Sequence, residues 1–169
     1  MRLINTIITS ASLFLVSSVS AQLQYSEVVN ADSVTADALY SNSKIFITDA
    51  FKSGKDVTQL SDDASKTIIG KGWMQVEVTR NLGIVFPGKV WFKISIASKD
   101  SRYKYSFTDF VLTYDAGRGR PDIEHDLNPA DPPRELSKKQ WANVKRQVDE
   151  KVKAMIVDLK SKMATKNDW

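Results

Sequence analysis

The spacing of apolar residues changes along the chain, and each change marks an element. Tyr25 to Val29 is a short β-prone run, stopped by Asn30-Ala31-Asp32-Ser33. Leu39, Ser43, Phe46, Ile47 and Ala50 then recur on one face of a predicted helix. Ser33 or Thr35 can cap it, Asp37 suits the positive end of its dipole, and Gly54 fits a left-handed position beyond its end. Period-two alternation predicts strands over 57–60, 67–79, 89–99 and 102–114. Residues 61–65 read as a turn, and 81–88, with Gly83, Pro87 and Gly88, as a loop around a short apolar stretch.

The strands 89–99 and 102–114 form the clearest hairpin, turning at Asp100-Ser101. An uninterrupted antiparallel register sets Val90 against Val111, Ile94 against Phe107 and Ile96 against Tyr105 on one face. The other face receives Trp91 with Phe110, Lys93 with Thr108, Ser95 with Ser106 and Ala97 with Lys104. One face is almost all apolar and the other mixed, as in an antiparallel sheet covered on one side. The same register puts Asp109 opposite Phe92 and therefore inward.

Residues 115–136 carry Gly117, Gly119, Pro121, Pro129, Pro132 and Pro133, and read as one long irregular loop. A long helix follows from Ser137 to about Lys162, opened by a capping box of Ser137 and Gln140. Its apolar stripe is Trp141, Val144, Val148, Val152, Met155, Ile156, Leu159 and Met163. Asp149 with Lys153, and Asp158 with Lys162, stand at supporting i,i+4 spacing. Two one-sided helices and one half-apolar sheet have a simple solution, with both helices on the same sheet face. The expected fold is an α+β two-layer sandwich with a curved antiparallel sheet, in the order β-α-β-β-β-β-α.

Composition narrows what such a fold can do. The 169 residues are 42% hydrophobic and contain no Cys, which excludes disulfides, thiolate metal sites and cysteine nucleophiles. Met1-Arg2 precedes the uncharged run Leu3 to Val19, and Val19-Ser20-Ala21 ends it with small residues. That is the pattern of a secretory signal peptide over 1–21, leaving one domain over 22–165. Removing it takes only Arg2 from the charges, so net charge falls from +4 to +3. So small a charge argues against nucleic acid as partner, and after cleavage no membrane-spanning run remains. The expected location is the periplasm or the outside medium.

Several segments together resemble a known family. They are Tyr25-Ser26-Glu27-Val28-Val29, Ser53-Gly54-Lys55-Asp56-Val57, Thr67-Ile68-Ile69-Gly70-Lys71-Gly72 and Asp100-Ser101-Arg102-Tyr103-Lys104-Tyr105. Thr108-Asp109-Phe110 and Lys139-Gln140-Trp141 complete the set. Their order and spacing resemble the bacterial "domain of unknown function with TBP-like fold", seen in secreted proteins of Gram-negative bacteria. The resemblance implies strand, helix, four strands and helix. It supplies no activity and no catalytic residues.

Candidate chemistry was therefore sought residue by residue. His125 is the only imidazole and lies among Asp122, Glu124 and Asp126, a set that matches no calcium loop. Asp109, inward in the simple register, lacks the second group that hydrolysis requires. Gly70-Lys71-Gly72 is not completed as a phosphate loop and reads as a bulge or bend in a strand. The outer sheet face offers more: Lys71, Trp73 and Gln75 by strand parity, beside Trp91, Lys93, Lys104 and Thr108. Exposed Trp with Lys suits stacking on sugars or a protein hot spot. The expectation is a non-catalytic envelope protein that binds a protein, peptide or glycan through this face, with no cofactor and no metal. The alternative is a hydrolase-like enzyme built on Asp109 or His125, and self-association through the same face is a third option left open.

Overall fold

The computed structural model describes residues 23–51, 58–79, 83–115 and 122–165. The signal-peptide segment 1–21 and Gly54 lie outside the described residues. The elements are β1 Tyr25–Asn30, α1 Ala36–Ala50, β2 Thr58–Asp62, β3 Thr67–Thr79, β4 Val85–Lys99, β5 Arg102–Tyr114, β6 Ile123–Asp126 and α2 Lys138–Met163. The strands form one antiparallel sheet in the order β1-β5-β4-β3-β2, and β6 adds beside the far end of β5. β1 and β2 stand at opposite ends of that order, so the connection containing α1 crosses the sheet.

Both helices start where their side chains dictate. Thr35 caps α1 by accepting a hydrogen bond from the Ala38 N–H. Ser137 caps α2, accepting from the Gln140 N–H at 3.3 Å, while Gln140 Oε1 accepts from the Ser137 N–H at 2.7 Å. Two otherwise orphaned donors are thereby satisfied. The apolar stripes close on one sheet face: Leu39, Phe46 and Ile47 from α1, and Trp141, Val144, Val148, Val152 and Leu159 from α2, are all buried. Phe92, Ile94, Ile96, Phe107, Phe110 and Leu112 meet them from the sheet. The expected α+β sandwich, with two helices on one face, is the observed one. α2 reaches two separate strands of it. The Tyr25 hydroxyl of β1 donates to Asp149 at 3.1 Å, and Lys160 pairs with Glu27, while Gln147 meets β3.

The structure corrects the expected register at one residue with large consequences. Ile94 faces Phe107 and Lys93 faces Thr108 as expected, but Trp91 faces Val111 rather than Phe110, and Val90 faces Leu112. Between these pairs Phe92 alone opposes Asp109 and Phe110, which is a β-bulge. Asp109 sits at φ 57°, a left-handed conformation that Asp tolerates better than most residues. Asp109 thus turns outward and is exposed, Phe110 turns inward and is fully buried, and Val111 takes the outer place beside Trp91. Burying Phe110 rather than a carboxylate follows from solvation: an unpaired buried carboxylate costs far more than a bulge.

Other expectations shift for similarly local reasons. β2 ends two residues later than the period-two pattern suggests, Val57 lying outside the described residues, and has a register break opposite Gly70 and Ile69. β4 begins at Val85, so Pro87 and Gly88 belong to a strand and not to a loop. Pro87 faces Glu77, whose N–H and C=O are both taken by the Gln147 side-chain amide at 2.8 and 2.9 Å. Glu77 and Pro87 therefore exchange no ladder bond, and the missing proline N–H costs none on that side. Gly72 is needed because the Phe51 ring lies where its Cβ would be, which is close approach and not a bulge. Lys162 pairs with Asp49 of α1 in place of Asp158, tying the helices together, while Asp149 and Lys153 pair as expected. Finally, the loop expected over 115–136 contains β6, which pairs Asp126 with Val111 and Glu124 with Thr113.

Candidate binding face

The face of the sheet away from the helices is built from cross-strand rows. Lys71, Trp73 and Gln75 of β3 stand opposite Lys93, Trp91 and Lys89 of β4. All six lie at outward positions, because residues of one parity share a face. The next strand contributes Asp109, Val111 and Thr113, and Glu124 of β6 extends the row of Lys89 and Thr113. Lys71, Lys89, Trp91, Phe92, Lys93, Asp109, Val111, Thr113, Asp122 and Glu124 together line an open groove of about 740 Å³. A smaller hollow of about 240 Å³ continues from it past Lys89, Thr113 and Asp122 to Trp73 and Gln75.

The groove is polarised across its width. Lys71, Lys89 and Lys93 stand on β3 and β4, whereas Asp109, Asp122 and Glu124 stand on or beside β5 and β6. Among the described residues none of these six charges makes an ion pair. Two of the lysines lean over the indoles: Lys71 Nζ is 5.4 Å from the Trp91 ring centroid and Lys89 Nζ is 4.9 Å from that of Trp73. The two indoles lie 6.5 Å apart with their planes tilted by 54°. Trp73 is 46% exposed, so its ring face meets solvent rather than core.

Shifted titration is found on the edge and helix side of the sheet. The Glu27 carboxyl is held below its ordinary range by Lys160 and by the hydroxyl of Tyr105, which donates to it at 2.6 Å. Burial, reinforced by Asp149, pushes the Tyr25 phenol up to about 12. Tyr103 rises to about 12 through burial and the nearby Glu27. Tyr25 and Glu27 tie β1 to α2, away from the groove.

Of the residues expected on the outer face, Lys71, Trp73, Gln75, Trp91 and Lys93 come together. Thr108 stands opposite Lys93, half-buried, and does not line the groove. Lys104 is exposed but lies opposite Ala97 near the hairpin tip, beside a separate hollow of about 250 Å³ with Val28 and Arg102. Lys89 was within reach of strand parity, two residues before Trp91. Asp109, Val111 and Thr113 owe their positions to the bulge, and Asp122 and Glu124 to β6, so the simple hairpin register could not place them.

His125 faces the other way. It stands opposite buried Leu112, its ring 5.9 Å from that of Tyr114 and edge-on to Trp141 at 6.5 Å, with Nε2 3.7 Å from a Glu135 oxygen. Asp109 and His125 are therefore on opposite faces of the sheet. Among the described residues no three His, Asp or Glu side chains converge as metal ligands. Among them, too, no helix is long and apolar enough to cross a membrane.

Comparison with known proteins bears on the fold. The family model described as "Domain of unknown function (DUF4468) with TBP-like fold" matches residues 25–113, more than half of the chain. A crystal structure of a DUF4468 family protein from Bacteroides ovatus superposes with a TM-score of 0.67 at 14% identity, covering 88% of this chain and 90% of that one. A TBP-like protein from Parabacteroides distasonis gives a TM-score of 0.57 at 14% identity, covering 82% of this chain and 93% of that one. No curated protein matches.

Proposed function

Because the chain belongs to the DUF4468 family of domains of unknown function with TBP-like fold, we propose from the chemistry of its open sheet face that it is a non-catalytic binding protein, exported to the bacterial envelope. The observation that carries this reading is the groove itself. It brings the Trp91 indole and six charges of both signs into one open hollow, with the Trp73 indole beside it in the adjoining hollow and none of the charges neutralised by a described neighbour. A sheet face that serves only as solvated surface has no need to gather Trp there, and Trp ranks first among residues that dominate binding energy. Unpaired charges flanking an aromatic floor supply orientation and specificity. The candidate partners are an envelope protein, a peptide or a glycan, and the signal-peptide pattern of residues 1–21 supports the envelope as the place.

The test is crosslinking of the exported protein in living cells, comparing wild type with Trp91→Ala/Lys93→Ala, Asp109→Asn and His125→Ala. The double variant should lose the captured partner by at least tenfold, while His125→Ala retains it. Capture unaffected by the double variant rejects the binding face. Loss of a cellular phenotype only with Asp109→Asn or His125→Ala would support the hydrolase reading instead.

A further inference from the structure

We propose that the partner this face fits is a second copy of the same chain, docked sheet to sheet; the inference rests on the reading of the groove as a binding face. The argument is one of symmetry. A two-fold interface brings the same patch of each copy together, so the patch must complement itself. Within the groove the cations occupy β3 and β4 and the carboxylates occupy β5 and the β6 region, on either side of the seam between β4 and β5, while Glu77 of β3 and Lys104 of β5 share the face outside it.

A two-fold axis parallel to the strands along that seam exchanges the two sides. It lays the lysine bank of each copy over the acidic bank of the other, twice over. Lys89, Thr113 and Glu124 share one cross-sheet row. The rotation sets Lys89 of one copy over Thr113 of the second copy, one strand spacing of about 4.8 Å from its Glu124. A lysine stem spans that offset. On the seam itself Trp91 stands beside Val111, so the same rotation stacks the indole of each copy on the valine of the other.

Area is also adequate. The face is four strands wide, from β3 to β6 at one end and to β1 at the other, about 19 Å, and the 13 residues of β3 run about 43 Å. That gives on the order of 800 Å² per copy, the size of a standard specific interface. The strand direction is preserved by this axis, which gives the aligned packing that two stacked sheets ordinarily adopt.

The experiment is sedimentation velocity on the domain without residues 1–21, at low and high ionic strength. The variants are Lys89→Glu/Lys93→Glu, which makes both banks acidic, and Asp122→Lys/Glu124→Lys, which makes both basic. Wild type should dimerise at low salt and weaken at least tenfold at high salt. Each double variant alone should be monomeric, and their equimolar mixture should restore a dimer of wild-type affinity. Circular dichroism with thermal melting checks that every variant folds. A monomeric wild type at low salt overturns the proposal, and so does a dimer that persists in both variants. Capture of a different protein in cells by a monomeric wild type, lost in Trp91→Ala/Lys93→Ala, would overturn self-association while leaving the binding face standing.

Discussion

The two faces of the one sheet are made by the same strands and obey opposite rules. On the helix side Phe92, Ile94, Ile96, Phe107, Phe110 and Leu112 are sealed, and hydrophobic burial decides every position. On the open side Lys, Trp, Thr, Asp and Glu alternate with them, and neither described helix covers the charges. The bulge at Asp109 is the point where the two rules meet. One extra residue exchanges the faces of everything after it, so an aromatic ring enters the core and a carboxylate enters the groove. The stability of the inner face thereby fixes the chemistry of the outer one.

The comparison breaks most readily at Phe110 and Val111. Phe110→Ala should cost about 3–5 kcal/mol and Val111→Ala only about 1 kcal/mol, read as the shift in a urea unfolding curve. The reverse order would restore the uninterrupted register and abolish the contrast between faces. Next in size is Gly72→Ala, expected to cost about 1–3 kcal/mol because the new Cβ runs into the Phe51 ring. On a Phe51→Ala background the same change should cost far less, which thermal melting of the four-member cycle would show.

Asp109 separates stability from binding. Asp109→Val should lose about 1–2 kcal/mol, since a β-branched residue fits φ 57° poorly. Asp109→Gly should hold stability or gain slightly, yet weaken any partner that uses the acidic bank. A loss of stability in the Gly variant comparable to that in the Val variant would mean that the carboxylate itself holds the fold.

The smallest expected effect concerns pH, and it belongs to the β1 edge rather than to either face. The Glu27 carboxyl lies below its ordinary value of 4.5 in the folded chain, through Lys160 and Tyr105. A depressed folded-state pKa adds stability above that ordinary value and loses it as pH falls through the folded one. The melting temperature should therefore decline below about pH 4.5, with a slightly shallower slope in Glu27→Gln. Equal slopes for the two proteins would remove Glu27 from the account.

Much of the architecture was legible in the sequence. The caps at Thr35 and Ser137, the α2 stripe and the turn at Asp100-Ser101 are local signals, each readable within a few residues. Strand parity and the hairpin pairing put all seven expected residues at outward positions, and five of them come together. Pro87 misled because proline usually ends a strand, yet it stands opposite Glu77, which turns both backbone groups away from it to Gln147, sixty residues beyond the proline. β6 was hidden because four residues among Gly and Pro carry too weak a period to recognise without their partner strand.

Sequence by itself determined which residues alternate, where helices begin and that one sheet face must be apolar, because these follow from covalent spacing and side-chain solvation. Only the tertiary structure decided that Asp109 turns outward, that Phe51 presses on Gly72 and that β6 brings acids beside the lysines. Each of those depends on a competition between non-local packing and local regularity, and the packed core wins because burying Phe110 outweighs the strain of one left-handed residue.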